Sequence, residues 1–347
     1  MLNNLTLIIA TKNRHAYLER ILNYYAGKGI NLWVADATVK RYPKKLPDGN
    51  FSYFHYPDVH YTTKLNDLSK KITTRYSLLC ADDDFIIPES IEKIIDFLDN
   101  NPDYNSAQGH YISFYNSFGK LHYEPMYTKS IGLDIKSDKA TERIKEFYNT
   151  QVQLYYCIHT TENFRKIFEF ADGRIKNLNL LESVIGLSTL CRGKHKVLPI
   201  FYGARESLYS SAGRSFGMDV FAMSPDFKEQ YEAFINHISE LIMVNDGISK
   251  ADAVLFLEQT ITSHIKERYH LSTMQRLKRK AMALNKKILP IKLRKFLRHQ
   301  KIKFNAEQSK NQNIAMAKKY DGYPFGEEPN KQLLEIESFI FRYNLYQ

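Results

Sequence analysis

Tryptophan occurs once in 347 residues, and cysteine only three times, at Cys80, Cys157 and Cys191. The three thiols form no CxxC pair, so neither a zinc site nor a disulfide framework is expected. Each lies in an apolar neighbourhood and reads as a buried free thiol of a reducing compartment. No apolar run reaches the ~18 residues that would suggest a membrane span. The first ten residues lack a basic leader and read as a strand, not a signal peptide. A cytoplasmic location is the expectation. Acidic residues are missing from residues 271–303, which carry twelve Lys and Arg. The net charge is +11, so that segment holds the whole excess. The remainder is nearly neutral, and a nucleic-acid binder is not implied.

Apolar residues make up 44% of the chain, enough to rule out compositional disorder. The 24 Tyr and 21 Phe are residues that serve cores and also line sugar and nucleobase sites. The length suits one large α/β domain with an appendage.

Leu5-Thr6-Leu7-Ile8-Ile9-Ala10 is an apolar, β-branched run of strand length. Tyr17, Leu18, Ile21, Leu22 and Tyr25 follow at helical spacing, and Asn31-Leu32-Trp33-Val34-Ala35 begins a second strand. This strand-helix-strand opening signals a parallel sheet. Further strands are expected at 51–56, 75–81 and 196–200, and a strand pair over 104–126. Helices are expected at 62–73, from Pro88, at 140–148, 163–170 and 178–191. After about residue 220 strand signals vanish. Ser249 with Asp252 has the form of a capping box. The reading is a mixed, mainly parallel α/β sheet flanked by helices over 1–220, then a helical region over 221–347.

The strand at 75–81 ends in Asp82-Asp83-Asp84. Ligands of open α/β sheets bind at the carboxyl edge. If the strand geometry continued, Asp82 and Asp84 would point the same way and Asp83 the other. Paired carboxylates repel unless a cation joins them, and hard oxygen donors suit Mg²⁺ or Mn²⁺. Such an ion could hold a diphosphate leaving group. An isolated acidic triplet can also cap a helix. Here a buried strand before it and an apolar Phe85-Ile86-Ile87 turn after it favour the ligand role.

At this point the chain resembles the family-2-like GT-A glycosyltransferases of bacterial surface polysaccharide synthesis. Leu7-Ile8-Ile9-Ala10-Thr11-Lys12-Asn13-Arg14 is similar to the family's opening strand and turn. Val34-Ala35-Asp36-Ala37-Thr38 is similar to its second-strand motif, and Leu79-Cys80-Ala81-Asp82-Asp83-Asp84 to its DxD strand. Glu182, in a helix before Gly193, stands where the family places its catalytic base. There are departures. Ala35 and Leu181 replace acids of the family pattern. The region after the last strand carries Arg205 and Arg214 where a His metal ligand is frequent. The resemblance implies a GT-A fold, a nucleotide-sugar donor, and a glycan or lipid-linked acceptor.

It further implies roles for particular residues. Asp36 would meet the nucleobase, and Thr11, Asn13 and Arg14 the nucleoside and its phosphates. Asp82 and Asp84 would hold Mn²⁺ or Mg²⁺, with Asp82 and Asp83 beside the donor. Glu182 would deprotonate the acceptor hydroxyl with inversion. Lys64, near Asp67, and Arg205 and Arg214 could stabilise the departing diphosphate. Gly213 and Gly217 suggest a mobile loop there. His110, His159 and His195 show no ligand spacing. The segment 271–303 interleaves its cations with leucine, isoleucine and phenylalanine. That pattern suits peripheral attachment to anionic lipid, or a homo-oligomer contact. Two other functions share these features: a nucleotidyltransferase, and a non-catalytic carbohydrate-binding protein with a degenerate GT-A domain.

Overall fold

The computed structural model describes residues 2–117, 119–150, 152–207, 224–269, 305, 307–320, 323–325, 330–343 and 345. Strand β1 (Leu5–Thr11) leads through α1 (His15–Tyr25) to β2 (Asn31–Asp36) and β3 (Phe51–His55). Helix α2 (Tyr61–Lys71) precedes β4 (Tyr76–Ala81) and the short β5 (Phe85–Ile86). Helix α3 (Pro88–Asn100) starts on Pro88 and turns Ile91, Ile94, Ile95 and Leu98 inward, as its spacing predicts. The hairpin β6 (Tyr104–Ser117) and β7 (Lys120–Pro125) comes next, then β8 (Asp134–Ile135) and α4 (Ala140–Thr150). The strand β9 (Ile158–Thr160), α5 (Thr161–Ala171), α6 (Leu178–Arg192) and β10 (Lys194–Glu206) follow. Helices α7 (Phe227–Asp246) and α8 (Lys250–Tyr269), a helical stretch over 307–319 and α9 (Lys331–Tyr343) follow.

The sheet order is β3-β2-β1-β4-β9-β6-β10-β5, with β7 added on β6 and β8 on β10. β3, β2, β1 and β4 are mutually parallel, as are β6 and β10. β9 joins the two blocks as an antiparallel insert. The mixed, mainly parallel architecture is thus the expected one. Strand β1 shows why its sequence reads as a continuous apolar run: Leu7 and Ile9 enter the core on one face, Ile8 that on the other. Phe234, Ile238 and Ile242 of α7 and Leu257 of α8 pack into the second core. Leu333, Ile336 and Ile340 of α9 pack into the first. Ser249 caps α8 with its hydroxyl on the Asp252 N–H at 3.1 Å, as the capping-box pattern predicts. No helix among the described residues is long and apolar enough to cross a membrane. Residues 271–303 lie outside the described residues.

The last strand differs from expectation. It was expected over 196–200 but runs to Glu206, so Arg205 sits on a strand and not on a loop. Pro199 hid the continuation. It falls within a register shift against β6 between Val197 and Phe201, where a bulge absorbs the missing N–H donor. Residues 85–86, expected as a turn, pair with Gly203 and Ala204 of β10. A Cβ on Gly203 would stand 2.5 Å from the Phe85 carbonyl oxygen. Glycine is therefore what lets β5 lie against β10. Gly203→Ala should cost about 2 kcal/mol, as other overpacked sites do. Thermal unfolding checks this; an unchanged midpoint would show that the pairing yields without cost.

Candidate functional site

Register places the site. Thr11 pairs with Asp36, and Ala10 pairs with both Ala35 and Ala81. The carboxyl ends of β1, β2 and β4 are therefore level, and the aspartate triplet leaves the sheet at that edge. The strand stops at Ala81, and Asp84 donates its N–H to the Ala81 carbonyl at 3.3 Å. The alternation expected of Asp82 and Asp84 fails here, because a turn and not a strand carries them. Asp82 accepts from the Thr11 hydroxyl at 2.6 Å and from Arg14 at 3.0 Å. Asp83, expected to face away, shares that Arg14 at 2.8 Å. Asp84 turns instead to β10. It accepts from Arg205 Nε at 3.1 Å and from the Glu206 N–H at 2.9 Å.

A third guanidinium lies beneath. Arg20 donates to Glu206 at 2.6 Å and to the Asp83 carbonyl at 3.1 Å, and it is fully buried. Charges of this kind survive burial only when paired and hydrogen-bonded. Burial pushes the Asp82 carboxyl up to about 7 against the pull of Arg14. Burial raises Asp84 too, against Arg205. Burial works against the Arg14 charge as well, yet Asp82 and Asp83 hold that guanidinium above its ordinary value. The side chains of Asp82, Asp83 and Asp84 are 3%, 9% and 5% exposed. The side chains of Arg14 and Arg205 are 32% and 26% exposed. Of these paired charges, the arginine side chains are the more exposed.

Both arginines line a cleft of about 330 Å³ together with Asp83, Asp84 and Glu182. Helix α6 is buried on most sides, and Glu182 is an exposed residue of its first two turns. Its N-terminus is set by Asn177, whose side chain accepts from the N–H groups of Asn179 and Leu180. Tyr61, Tyr127, Tyr155 and Tyr156 wall the same cleft. Arg205 bridges wall and triplet, donating to the Tyr127 hydroxyl at 2.9 Å and lying 4.7 Å from the Tyr156 ring centre. The hydroxyls of Tyr111 and Tyr202 both donate to the Tyr156 carbonyl and fix that residue. The sequence reading missed this wall, Arg20 and Glu206. Arg20 carried a signal: it sits on the same face of α1 as Tyr17, Tyr24 and Ile21, where a charge needs a buried partner.

Other expected residues stand behind the cleft. Asp36 is fully buried, and its carboxylate accepts from His15 at 2.7 Å, Tyr53 at 2.6 Å and the Thr38 N–H at 2.8 Å. Instead of facing the cleft, it organises the turn after β2. Asn13 adopts φ 57° and donates its N–H to Thr38 at 2.8 Å, joining the β1 and β2 turns. Lys64 reaches in from α2 to the Thr11 and Ala35 carbonyls at 3.2 and 2.8 Å. Asp67 binds Tyr56 and Lys71 at the surface and is not part of the site. Arg214, Gly213 and Gly217 lie outside the described residues.

Among the described residues, the expected donors for Mn²⁺ or Mg²⁺, Asp82 and Asp84, do not converge. Among the described residues, no three His, Cys, Asp or Glu side chains gather as a metal site. Asp82 and Asp84 each answer an arginine and a second donor, and they diverge. The three cysteines are free and buried. Cys157 lies 3.3 Å from His159, which Asn163 approaches at 3.2 Å, but all three are sealed in the core, so this group is no nucleophile site.

These features define an α/β protein with a guanidinium-lined cleft at the carboxyl edge of its sheet. No protein-family model matches the chain, and no curated protein does. Solved structures do. The chain is similar to residues 1–349 of TarS from S. aureus, with a TM-score of 0.50 and 13% identity over 78% of this chain and 76% of that one. The same TarS segment in complex with UDP-GlcNAc, and in complex with UDP, matches with a TM-score of 0.48 and 13% identity over 76% of this chain and 72% of those. At this identity the likeness is one of fold.

Lys64 offers a pH test. Its burial lowers the ammonium to about 8, against the opposing effect of Asp36 and Asp82. The unfolded chain holds that proton up to about 10.4. Between these values the unfolded state binds more protons, so stability rises with pH. Relative to Lys64→Met, the native protein should gain about 2 kcal/mol between pH 7 and 9.5. Denaturant unfolding of both proteins at the two pH values measures this; a pH-independent difference would refute the burial of a charged Lys64.

Proposed function

We propose that the chain is a GT-A glycosyltransferase of cell-surface glycan synthesis. It would move a sugar from a nucleoside diphosphate sugar to a hydroxyl of a glycan or lipid-linked acceptor. One observation carries this reading: a single cleft holds the Glu182 carboxylate on one element and the guanidiniums of Arg14 and Arg205 on others. A leaving diphosphate needs cations, and an attacking hydroxyl needs a base. The acceptor oxygen forms a bond to the anomeric carbon. The bond from that carbon to the diphosphate oxygen breaks, and its electron pair stays on the diphosphate. The acceptor proton passes to Glu182. Attack opposite the leaving group inverts the anomeric centre. The tyrosine wall supplies the faces on which sugar rings pack. UDP-GlcNAc, bound by TarS, is the first donor to test.

Incubation with UDP-sugars and acceptor should release UDP. Glu182→Gln should lower kcat by about 10²–10⁴-fold with UDP affinity retained. Pyrophosphate release would favour a nucleotidyltransferase, and no release from any donor a non-catalytic sugar binder. Unchanged turnover in Glu182→Gln would remove the base assignment.

The acceptor side of the proposal draws on residues 271–303, whose basic amphipathic pattern suits anionic headgroups. Neutralising these lysines and arginines should reduce sedimentation with anionic vesicles. Equal sedimentation would remove the membrane attachment.

A further inference from the structure

We propose that Arg14 and Arg205 bind the donor diphosphate directly, with no divalent cation, and that the aspartate triplet acts as their clamp. This rests on the glycosyltransferase reading and concerns how the same site meets its substrate. The geometry points this way on three counts. The first is order of layers. The aspartate side chains are at most 9% exposed, while those of Arg14 and Arg205, which also line the cleft, are 32% and 26% exposed. A phosphate entering the cleft would meet arginine side chains more exposed than the aspartates they pair with.

The second is donor capacity. Asp84 has one oxygen on the Glu206 N–H and the other on Arg205. Asp82 has one on Thr11 and one on Arg14. A hexacoordinate ion with short oxygen bonds would have to share these oxygens with arginines already paired to buried carboxylates, and like charges would crowd there. The arginines, in contrast, have donors left. Arg205 spends Nε on Asp84 and Nη1 on Tyr127, which leaves Nη2. Arg14 spends Nη1 and Nη2 on Asp82 and Asp83, which leaves Nε and the second hydrogens of both amino groups.

The third is rigidity. Arg205 is held by Asp84, by the Tyr127 hydroxyl and over the Tyr156 ring. Arg14 is held by two aspartates and lies 4.2 Å from the Tyr17 ring centre. Guanidinium forks fixed in this way are suited to phosphate oxygens and need little reorganisation as charge develops on the leaving group. When the bond from the anomeric carbon to oxygen breaks, the electron pair on the diphosphate would be stabilised by these two cations. The acceptor proton still goes to Glu182.

The test uses the full chain and UDP as probe. UDP affinity by titration calorimetry and UDP release from the donor sugar should be unchanged by excess EDTA or by added Mn²⁺. Arg205→Lys keeps a charge but loses the fork, and should weaken UDP binding about tenfold in EDTA. Circular dichroism confirms that the variant is folded. Should it fail to fold, the EDTA comparison on the native protein decides alone. A requirement for Mn²⁺ or Mg²⁺ in either assay overturns this inference and leaves the glycosyltransferase reading intact. Absence of UDP binding with and without metal overturns both.

Discussion

Three adjacent carboxylates at the end of a buried strand persist only if cations meet them inside the fold. Here the cations are arginines from distant parts of the chain. Arg14 is the N-cap residue of α1, Arg20 lies in the middle of that helix, and Arg205 comes from the end of β10. A buried charge stripped of its partner costs about 3–5 kcal/mol. The cluster therefore ties the first strand-helix unit to the last strand more specifically than apolar packing does. The Arg20–Glu206 pair completes that tie, since both side chains are fully buried. Gly203 belongs to the same constraint. Without its close approach to Phe85, β5 would not hold Asp84 beside the Glu206 N–H.

That constraint explains which parts of the molecule could be read from the residues alone. The β1-α1-β2 opening and β4 were readable because buried parallel strands are unbroken apolar runs, and because α1 and α3 repeat their apolar residues at helical spacing. Position at the sheet edge follows from strand ends, so Thr11, Arg14, Asp83 and Asp84 were legible as residues of that edge. Their partners were not. Alternation along Asp82-Asp83-Asp84 presumed a strand, and hydrogen bonding of Asp84 back to Ala81 ends it one residue earlier. Asp36 was placed at a nucleobase by resemblance, but Tyr53 and His15 reach it from a strand and a helix whose relation appears only in three dimensions. Strands β5, β8 and β9 are too short to carry a period.

The aromatic wall shows the same limit from the opposite side. Its abundance was visible in composition, yet its members come from α2, from the turn after β7 and from the segment before β9. Tyr127 adopts φ 49°, a left-handed conformation uncommon for a residue with a side chain. Such backbone costs of order 1–3 kcal/mol and persists where surroundings over-determine it. The hydrogen bond from Arg205 to the Tyr127 hydroxyl is one of those determinants. The guanidinium that satisfies Asp84 also fixes a ring of the wall.

Arg205 is consequently the residue at which charge and shape of the cleft are set together. A lysine could balance Asp84 but could not also reach Tyr127 in the plane of a fork, nor lie flat against Tyr156. A neutral side chain would leave Asp84 buried with a backbone N–H as its remaining donor. The fold thus has two reasons to keep a planar cation there, one of stability and one of geometry. Neither depends on a ligand. A diphosphate entering the cleft would meet a cation already desolvated, oriented and held by the protein's own carboxylate. Under the proposed function, the electrostatic cost of assembling the site would be met during folding and not at the moment of bond breaking.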